Sequence, residues 1–417
     1  MSRLDELIEK LCPDGIEMYE LQELFITRNG YTPSKSKSEF WENGTVPWFK
    51  MEDIRANGNI LSDALQHVNE CAVKGKLFPE NSIIVATSAT VGEHALITVP
   101  SLANQRFTYL MVKPEYEDRF MPKFLFYYCY KLDKYCLQNL NQSSFASVDM
   151  KKFAKFKFPV PPLEVQREIV HILDSFTLLT AELTAELTAE LTARKKQYEF
   201  YRNKLLTFES DIPLLLLGEV CDLQAGKAIK AAEIYDVETN QATIPCYGAN
   251  GLRGYVEKSN QEGDKSIIGR QGAQCGNVCY ATGKYYATEH AVVVTDKGHF
   301  NSRYLFHALT HANLNQYKTA GAQPGLSVAK LNDVIIAVPD RKIQDKIANV
   351  LDNFEAICTD LNIGLPAEIE ARQKQYEYYR DLLLTFAETG SMLMTDRQTD
   401  RQTDRQTDRQ TDRAERN

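Results

Sequence analysis

The chain of 417 residues lacks a long apolar run and a regular set of cysteines. Its longest apolar run, near Pro213, is far shorter than the about 20 residues that a membrane helix needs. The nine cysteines are odd in number and scattered, which argues against a disulfide framework and favours a reducing compartment. The first ten residues are charged and lack the apolar core of a signal peptide, so we expect a cytoplasmic protein with no membrane contact.

Residue patterns for metal binding or catalysis are also scarce. Cys275 and Cys279 have a metal-like spacing, but no second pair completes the four ligands of a zinc site. Gly226 precedes a lysine without the serine or threonine that a phosphate-binding loop requires. His307 and His311 share one predicted helical face without the glutamate of a zinc-protease motif. We therefore predict no metal and no catalytic residues in this chain.

Acidic residues outnumber basic ones, and the formal net charge is −8. This balance argues against a chain coated for nonspecific binding to nucleic acid. The charge is uneven, however, because residues 101–160 carry about five more positive than negative charges. Part of that excess is a run of four lysines, Lys151, Lys152, Lys155 and Lys157. These lysines either contact phosphates or solvate the edge of a strand, and the sequence leaves both possibilities open.

A segment of about fifty residues occurs twice in the chain, with an offset of 178 residues. Residues 193–202 (ARKKQYEFYR) return as residues 371–380 (ARQKQYEYYR), and the match extends back without a gap to Val160 and Val338. Weaker matches continue upstream with a drifting offset, as expected where loops differ in length. Each half is therefore predicted to be a variable globular unit followed by a shared segment.

The shared segments have the apolar spacing of long helices. The first is predicted from about Leu163 to Phe208, which is about 69 Å of helix at about 1.5 Å per residue. Such a length suggests a coiled-coil partner, and the two similar segments are predicted to pair antiparallel with each other. In the second copy, Gly364 and Pro366 should break the rod and start a new helix. The variable halves contain predicted strands at 82–87, 291–295 and 334–338 and helices at 120–137 and 304–314, which indicates an α+β fold.

The sequence contains two tetrapeptide repeats with different predicted structures. Residues 180–191 are three copies of Thr-Ala-Glu-Leu inside the first long helix. Each copy adds about 6 Å and about 40° of rotation, enough to move two DNA-reading units by about one base-pair step of about 3.4 Å. The alternative is an ordinary helix whose repeat is a remnant of replication slippage.

The second repeat, Thr-Asp-Arg-Gln from residue 395 onward, has no apolar residue to bury and is predicted to be disordered. A four-base DNA repeat would encode its period, so we hypothesise phase-variable expression.

The combination of these features resembles the specificity subunits of type I restriction-modification enzymes. The resemblance covers residues 17 to about 390 and includes the duplicated block, the Pro-rich entry with Leu163-Glu164-Val165-Gln166 and the Thr-Ala-Glu-Leu repeats. It implies two target recognition domains, each reading half of a split sequence in double-stranded DNA. It also implies that the helices separate these domains and dock two methyltransferase subunits, with restriction subunits joining the complex. Cofactors would be absent from this chain, with S-adenosylmethionine in the methyltransferase and ATP with Mg²⁺ in the restriction subunit.

The resemblance divides the chain into five predicted regions. These are recognition domain 1 (1–158), a central helical region (159–210), recognition domain 2 (211–336), a C-terminal helical region (337–390) and the disordered tail (391–417). Arginine, lysine, asparagine and glutamine can pair with base edges, whereas serine and threonine more often hold phosphate. The predicted DNA-binding residues are Lys35, Lys37, Lys50, Ser88, Thr90, Arg106, Asn250, Arg270 and Gln271. The predicted partner-docking residues on the helices are Ile172, Phe176, Tyr198, Tyr201, Val350, Phe354, Tyr376 and Tyr379.

Two rival functions agree less well with the sequence. A self-contained enzyme is disfavoured because the Asn-Pro-Pro-aromatic motif of an adenine methyltransferase is absent from the sequence. A non-catalytic adapter that joins proteins through its coiled coil would explain the long helices. It would not explain two divergent halves attached to nearly identical helices.

Overall fold

The computed structural model describes residues 3–141, 146–208, 212–272, 274–319, 324–359 and 364–389. The predicted tail at 391–417 lies outside these residues. The contacts group into two compact units. Among these residues, unit 1 comprises those up to Leu183 together with 372–389, and unit 2 comprises those from Thr184 to Ala371. Each unit thus contains a globular domain together with parts of the long helices, whereas the predicted regions separated domains from helices.

The described residues that precede the long helix form ten strands and five α-helices. The strands are β1 (Met18–Glu20), β2 (Phe25–Asn29), β3 (Val46–Phe49), β4 (Ile60–Leu61), β5 (His67–Val68), β6 (Ser82–Ala86), β7 (His94–Ile97), β8 (Leu102–Ala103), β9 (Phe107–Val112) and β10 (Lys157–Pro159). The helices are α1 (Arg3–Leu11), α2 (Leu21–Leu24), α3 (Met51–Asn57), α4 (Pro122–Gln138), α5 (Met150–Phe153) and the long α6 (Leu163–Leu206).

The second half contains a corresponding set of elements. The strands are β11 (Leu214–Leu216), β12 (Cys221–Ala225), β13 (Ile244–Gly248), β14 (Gly251–Val256), β15 (Gln261–Glu262), β16 (Lys265–Gly269), β17 (Val278–Ala281), β18 (Lys284–Ala287), β19 (Ala291–Asp296) and β20 (Ile335–Ala337). The helices are α7 (Leu217–Val220), α8 (Ser302–His311), α9 (Val328–Asn332), α10 (Arg341–Thr359) and α11 (Leu365–Thr389).

The main sheets of the two units share the same order of four strands, to which unit 1 adds β4 at one edge. In unit 1 the largest sheet has the order β2-β9-β6-β7-β4, and in unit 2 its counterpart has the order β12-β19-β16-β17. A second sheet contains the parallel pair β3 and β8 in unit 1 and the parallel pair β13 and β18 in unit 2. A two-stranded ribbon closes each domain, β1 with β10 and β11 with β20. The sequence repeat is therefore a repeat of the fold, and the predicted α+β class is confirmed.

Burial on both faces explains the central strands. β6 and β19 are runs of β-branched and small apolar residues, and Ile83, Ile84, Val292 and Val293 are almost fully buried. One face of β6 packs on the aromatic helix α4 in a cluster that includes Phe124. The strands and helices predicted in the variable halves are found within a few residues of their expected bounds.

The shared segments form the predicted long helices. α6 extends over 44 residues without interruption. The second copy is broken where predicted: α10 ends at Thr359, and α11 begins at Leu365 with Pro366 as its second residue. Among the described residues, no helix is apolar over a stretch long enough to cross a membrane.

The helices pair in opposite directions within each unit. In unit 1, Phe176 of α6 contacts Tyr379 with ring centroids 6.3 Å apart, and the next residue, Thr177, bonds Tyr376 one turn earlier on α11. In unit 2, Tyr201 of α6 stacks on Phe354 of α10 with centroids 5.3 Å apart. Positions 176 and 201 correspond to 354 and 379 in the repeat, so the same aromatic pair occurs in both units. The predicted antiparallel pairing is confirmed within the units.

Candidate nucleic-acid interface

Four strands of each domain end at one edge, where four loops meet. In unit 1 these loops follow β2, β3, β6 and β8, and in unit 2 they follow β12, β13, β16 and β18. Four backbone hydrogen bonds hold the loops together, and they recur at equivalent positions. In unit 1 the amides of Gly30, Tyr31, Thr87 and Asn104 donate to the carbonyls of Phe107 (2.9 Å), Ala103 (2.8 Å), Arg106 (3.0 Å) and Phe49 (3.0 Å). In unit 2 the amides of Gly226, Lys227, Arg270 and Thr288 donate to the carbonyls of Ala291 (2.9 Å), Ala287 (3.0 Å), His290 (2.9 Å) and Tyr247 (2.9 Å).

A glycine makes this close approach possible in both domains. A Cβ atom at Gly30 would collide with the carbonyl oxygens of Ala103 and Asn104. A Cβ atom at Gly226 would collide with the equivalent carbonyls of Ala287 and Thr288. The loops can therefore lie side by side, so that side chains from four strand ends share one surface. We call this surface the loop edge of each domain, defined by residues 30–32, 50, 87–90 and 104–106 in unit 1 and 226–227, 248–250, 270–271 and 288–290 in unit 2.

Four of the predicted DNA-binding residues of unit 1 lie on its loop edge. Arg106 is exposed, and Ser88 and Thr90 are half-buried beside Ala89, which has a positive φ of 67°. Lys50 lies directly after β3, where its ammonium donates to Gln66 Oε1 at 3.2 Å and lies 5.7 Å from the ring of Trp48. Such a lysine keeps donors for a further acceptor. The structure therefore brings Lys50, Ser88, Thr90 and Arg106 together.

Lys35 and Lys37 belong to the loop that continues from Gly30. Both are exposed, and Lys37 lies 3.6 Å from Glu39 and over the ring of Phe40. The exposed ion pair contributes little to stability. The loop is tied back by Trp41, whose indole donates to the Ser34 carbonyl at 3.1 Å.

The three predicted residues of unit 2 all lie on its loop edge. Asn250 is exposed in the turn between β13 and β14, and Arg270 and Gln271 follow β16. The backbone of Gln271 forms an isolated antiparallel β-bridge with Gly325, and the equivalent Ser88 forms one with Ser147 in unit 1. A shallow cavity of about 350 Å³ is lined by residues 248–253 and by His290. The role of these residues in DNA binding stays a prediction.

The prediction from sequence missed Glu289 and His290, which lie between β18 and β19. The repeated hydrogen bonds make His290 the equivalent of Arg106 and Glu289 the equivalent of Gln105. Gln105 itself accepts a hydrogen bond from Thr32 of the opening loop. The sequence contained a signal for His290, because its equivalent Arg106 was predicted. The offset between the two halves changes upstream of the helices, however, and this change concealed that the two residues are equivalent.

A buried glutamine near the start of α6 and of α10 fastens each helix to its domain. Gln166 Oε1 accepts from the Met121 amide at 2.9 Å, and its Nε2 donates to the carbonyls of Arg119 (2.7 Å) and Pro161 (2.8 Å). Gln344 repeats all three bonds in unit 2, with the Asn301 amide (2.7 Å) and the carbonyls of His299 (3.0 Å) and Pro339 (2.8 Å). Both side chains are buried, so these bonds fix the first turn of α6 and of α10.

Charged anchors about two turns further along each helix are also duplicated. Asp174 of α6 accepts from Lys123 and from Tyr127, both at 2.7 Å. The corresponding group in unit 2 is Asp352 of α10, which accepts from Arg303 at 2.8 Å and lies 2.7 Å from His307 Nε2.

Three side chains of this second anchor have ligand atoms close enough for a metal ion, namely His307, Asp352 and Glu355. Arg303, however, donates to both Asp352 and Glu355. The guanidinium therefore already supplies the positive charge at these carboxylates. Burial lowers the pKa of His307 to about 4, although Asp352 opposes the change, so the imidazole is neutral at physiological pH. The cluster fits a structural anchor of helix to domain better than a metal centre.

Most of the predicted partner-docking residues have neighbours within the chain. Tyr198 bonds His307 Nδ1 at 3.2 Å, and Ile172 packs against the core of unit 1. Phe176, Tyr201, Phe354, Tyr376 and Tyr379 form the helix pairs described above. Val350 is 40% exposed. Their role in partner docking stays a prediction.

Two aromatic side chains that the prediction omitted are more exposed. Phe200 is 60% exposed, and Tyr378, its equivalent in the repeat, is 53% exposed. Each packs edge-on against the aromatic residue that follows it, with centroids 5.4 Å apart in both units. Exposed aromatic residues are common anchors of protein interfaces.

Comparisons with known proteins agree with this architecture. The family model described as type I restriction modification DNA specificity domain matches residues 13–193 and again residues 214–371. The specificity subunit of the type I restriction enzyme EcoprrI of Escherichia coli is 53% identical over 374 residues, covering 87% of this chain and 93% of that subunit. The EcoR124I/EcoR124II specificity subunit of Escherichia coli is 32% identical over 284 residues, covering 60% of this chain and 69% of that subunit.

A solved structure from a study of complex assembly and conformational transition of the type I restriction-modification system shares the fold. Its TM-score is 0.64 at 18% identity, with 91% of this chain and 99% of that chain covered. The chain therefore belongs to the family of type I restriction-modification DNA specificity subunits.

Proposed function

We propose that this chain selects the DNA target of a type I restriction-modification complex. Each domain binds one half of a bipartite sequence in double-stranded DNA through its loop edge. The duplicated set of four backbone hydrogen bonds carries the proposal, because it presents two sets of different side chains on one scaffold. A protein that reads two unlike half-sites requires this combination of constant framework and variable side chains.

The exposed positions of the long helices suit partner subunits. Phe200 and Tyr378 occupy equivalent positions of the repeat, so two copies of one partner have two similar places to dock. We assign these places to two methyltransferase subunits, to which restriction subunits are added in the full complex. The chain itself is not catalytic in this proposal. S-adenosylmethionine belongs to the methyltransferase, and ATP with Mg²⁺ belongs to the restriction subunit.

Reconstitution tests this function directly. The chain is co-expressed with its methyltransferase subunit, and methylated adenines are mapped by single-molecule sequencing. We expect one bipartite motif with a gap of fixed length. Exchanging residues 1–158 for the same region of a relative should alter one half-site alone. Methylation without sequence preference would instead favour the adapter, which binds proteins but reads no DNA.

A further inference from the structure

The loop edge of unit 2 presents polar atoms that have no hydrogen-bond partner among the described residues. They are Arg270 Nε, Glu289 Oε2 and His290 Nδ1, and each is buried at the level of the atom. An unpaired buried polar group is unfavourable unless a ligand or water completes it. The three residues lie on two adjacent loops, because the Arg270 amide donates to the His290 carbonyl at 2.9 Å. Because these atoms have no accessible surface in the free chain, an occupant with both acceptors and donors can pair with them only when the side chains turn towards it on binding.

Glu289 limits what that occupant can be. Its carboxylate is 40% exposed, and its Oε1 lies 3.2 Å from His290 Nε2, which leaves Oε2 to accept from elsewhere. A carboxylate on a DNA-binding surface repels phosphates and can only accept hydrogen bonds. In the major groove its partners are therefore the exocyclic amino groups, and the N4 amino group of cytosine is the usual one.

Arg270 supplies the complementary half. Arginine donates to the O6 and N7 acceptors of guanine, which lie beside the cytosine amino group of the same base pair. In unit 1 the equivalent positions hold Thr87 and Gln105, which cannot present this combination of guanidinium and carboxylate. The shared scaffold therefore carries different base chemistry in its two copies.

We propose that Glu289 and Arg270 together read one G·C pair in the half-site bound by unit 2. On binding, the Glu289 carboxylate turns towards the DNA so that Oε2 accepts from the cytosine amino group, and Arg270 donates to the guanine. His290 is a positioning residue that holds the other carboxylate oxygen. This inference rests on the proposed function, and it goes further by naming the base pair and the residues that select it.

The test uses the complete methyltransferase complex and duplexes that carry its mapped target. Each G·C pair of the unit 2 half-site is replaced in turn by A·T, and binding is measured by fluorescence anisotropy. We expect one replacement to weaken binding of the unaltered protein about tenfold or more. Glu289→Leu and Arg270→Leu should each lower the discrimination at that same pair to below about threefold. Glu257→Leu, which removes an exposed carboxylate elsewhere in unit 2, should leave the discrimination unchanged.

A second arm needs no variant and so does not depend on folding. N4-methylcytosine at the critical position should weaken binding by the unaltered protein, because the methyl group replaces the amino hydrogen that would be donated to Glu289. The proposal is overturned if both leucine variants keep the discrimination, if the critical pair is A·T, or if Arg270→Leu weakens all duplexes equally, as loss of a phosphate contact would. A complex without any sequence preference would overturn the proposed function itself, and that result is distinct from a selective complex whose variants remain unchanged.

Discussion

Replacing the buried glutamine of either unit should destabilise that unit and leave the other unchanged. In unit 1, Gln166→Leu removes three bonds and leaves the Met121 amide and the Arg119 and Pro161 carbonyls unpaired. Each lost bond costs about 1 kcal/mol or more, and the added apolar burial offsets about 1 kcal/mol of the sum. We expect a loss of about 2 to 4 kcal/mol in the free energy of unfolding. With a slope of about 2 kcal/mol per molar urea, the midpoint should fall by about 1 to 2 M.

The two tryptophans make the measurement specific to one unit. Trp41 and Trp48 both belong to unit 1, so tryptophan fluorescence follows unfolding of that unit, whereas circular dichroism follows both. Gln166→Leu should shift the fluorescence transition. Gln344→Leu should leave the fluorescence transition unchanged. It should shift only the circular dichroism transition that arises from unfolding of unit 2.

Gln138→Leu is the matched control, because Gln138 is exposed at the end of α4 and its replacement should change stability by less than about 0.5 kcal/mol. A fluorescence shift for Gln166→Leu no larger than that of the control would refute the role of the three bonds.

Three further predictions concern pH, partner binding and the repeat. Because burial lowers the pKa of His307 to about 4, the unfolded state binds the proton first, and unit 2 should lose stability as pH falls from about 6.5 towards 4. Urea unfolding at pH 5 should show a loss of about 2 kcal/mol relative to pH 7, and His307→Gln should abolish it. Phe200→Ser with Tyr378→Ser should weaken methyltransferase binding more than tenfold by titration calorimetry without lowering thermal stability. Deleting residues 184–187 shortens α6 by about 6 Å, so methylation mapping should show a gap about one base pair shorter with both half-sites kept.

The long helices were predictable because helix formation depends on local spacing. Apolar periodicity and the absence of glycine and proline gave α6 to within two residues of its end, and Pro366 marked the start of α11. The gapless offset of 178 residues also placed Gln344 as the equivalent of Gln166. Their shared role as buried anchors was not visible, because the carbonyls that they bond lie on other elements.

The loop edge was only partly predictable. Arg106 was predicted from its residue type, and Arg270 and Gln271 from their residue types and flanking glycines, but Glu289 and His290 were not predicted. Loops of unequal length shift the sequence offset in this region, and only the backbone hydrogen bonds restore the correspondence. The helix aromatics show a similar limit. Sequence spacing did not distinguish Tyr201, which stacks on Phe354, from its more exposed neighbour Phe200.

The sequence by itself determined the duplication, the α+β class, the length of the first helix and the break in the second. These properties follow from periodicity and from residues that form or interrupt helices, and both act over short distances along the chain. The tertiary structure decided which side chains meet at the loop edge and which aromatic residues remain exposed. Those facts depend on strand ends brought together across tens of residues of chain, through contacts that no local pattern encodes.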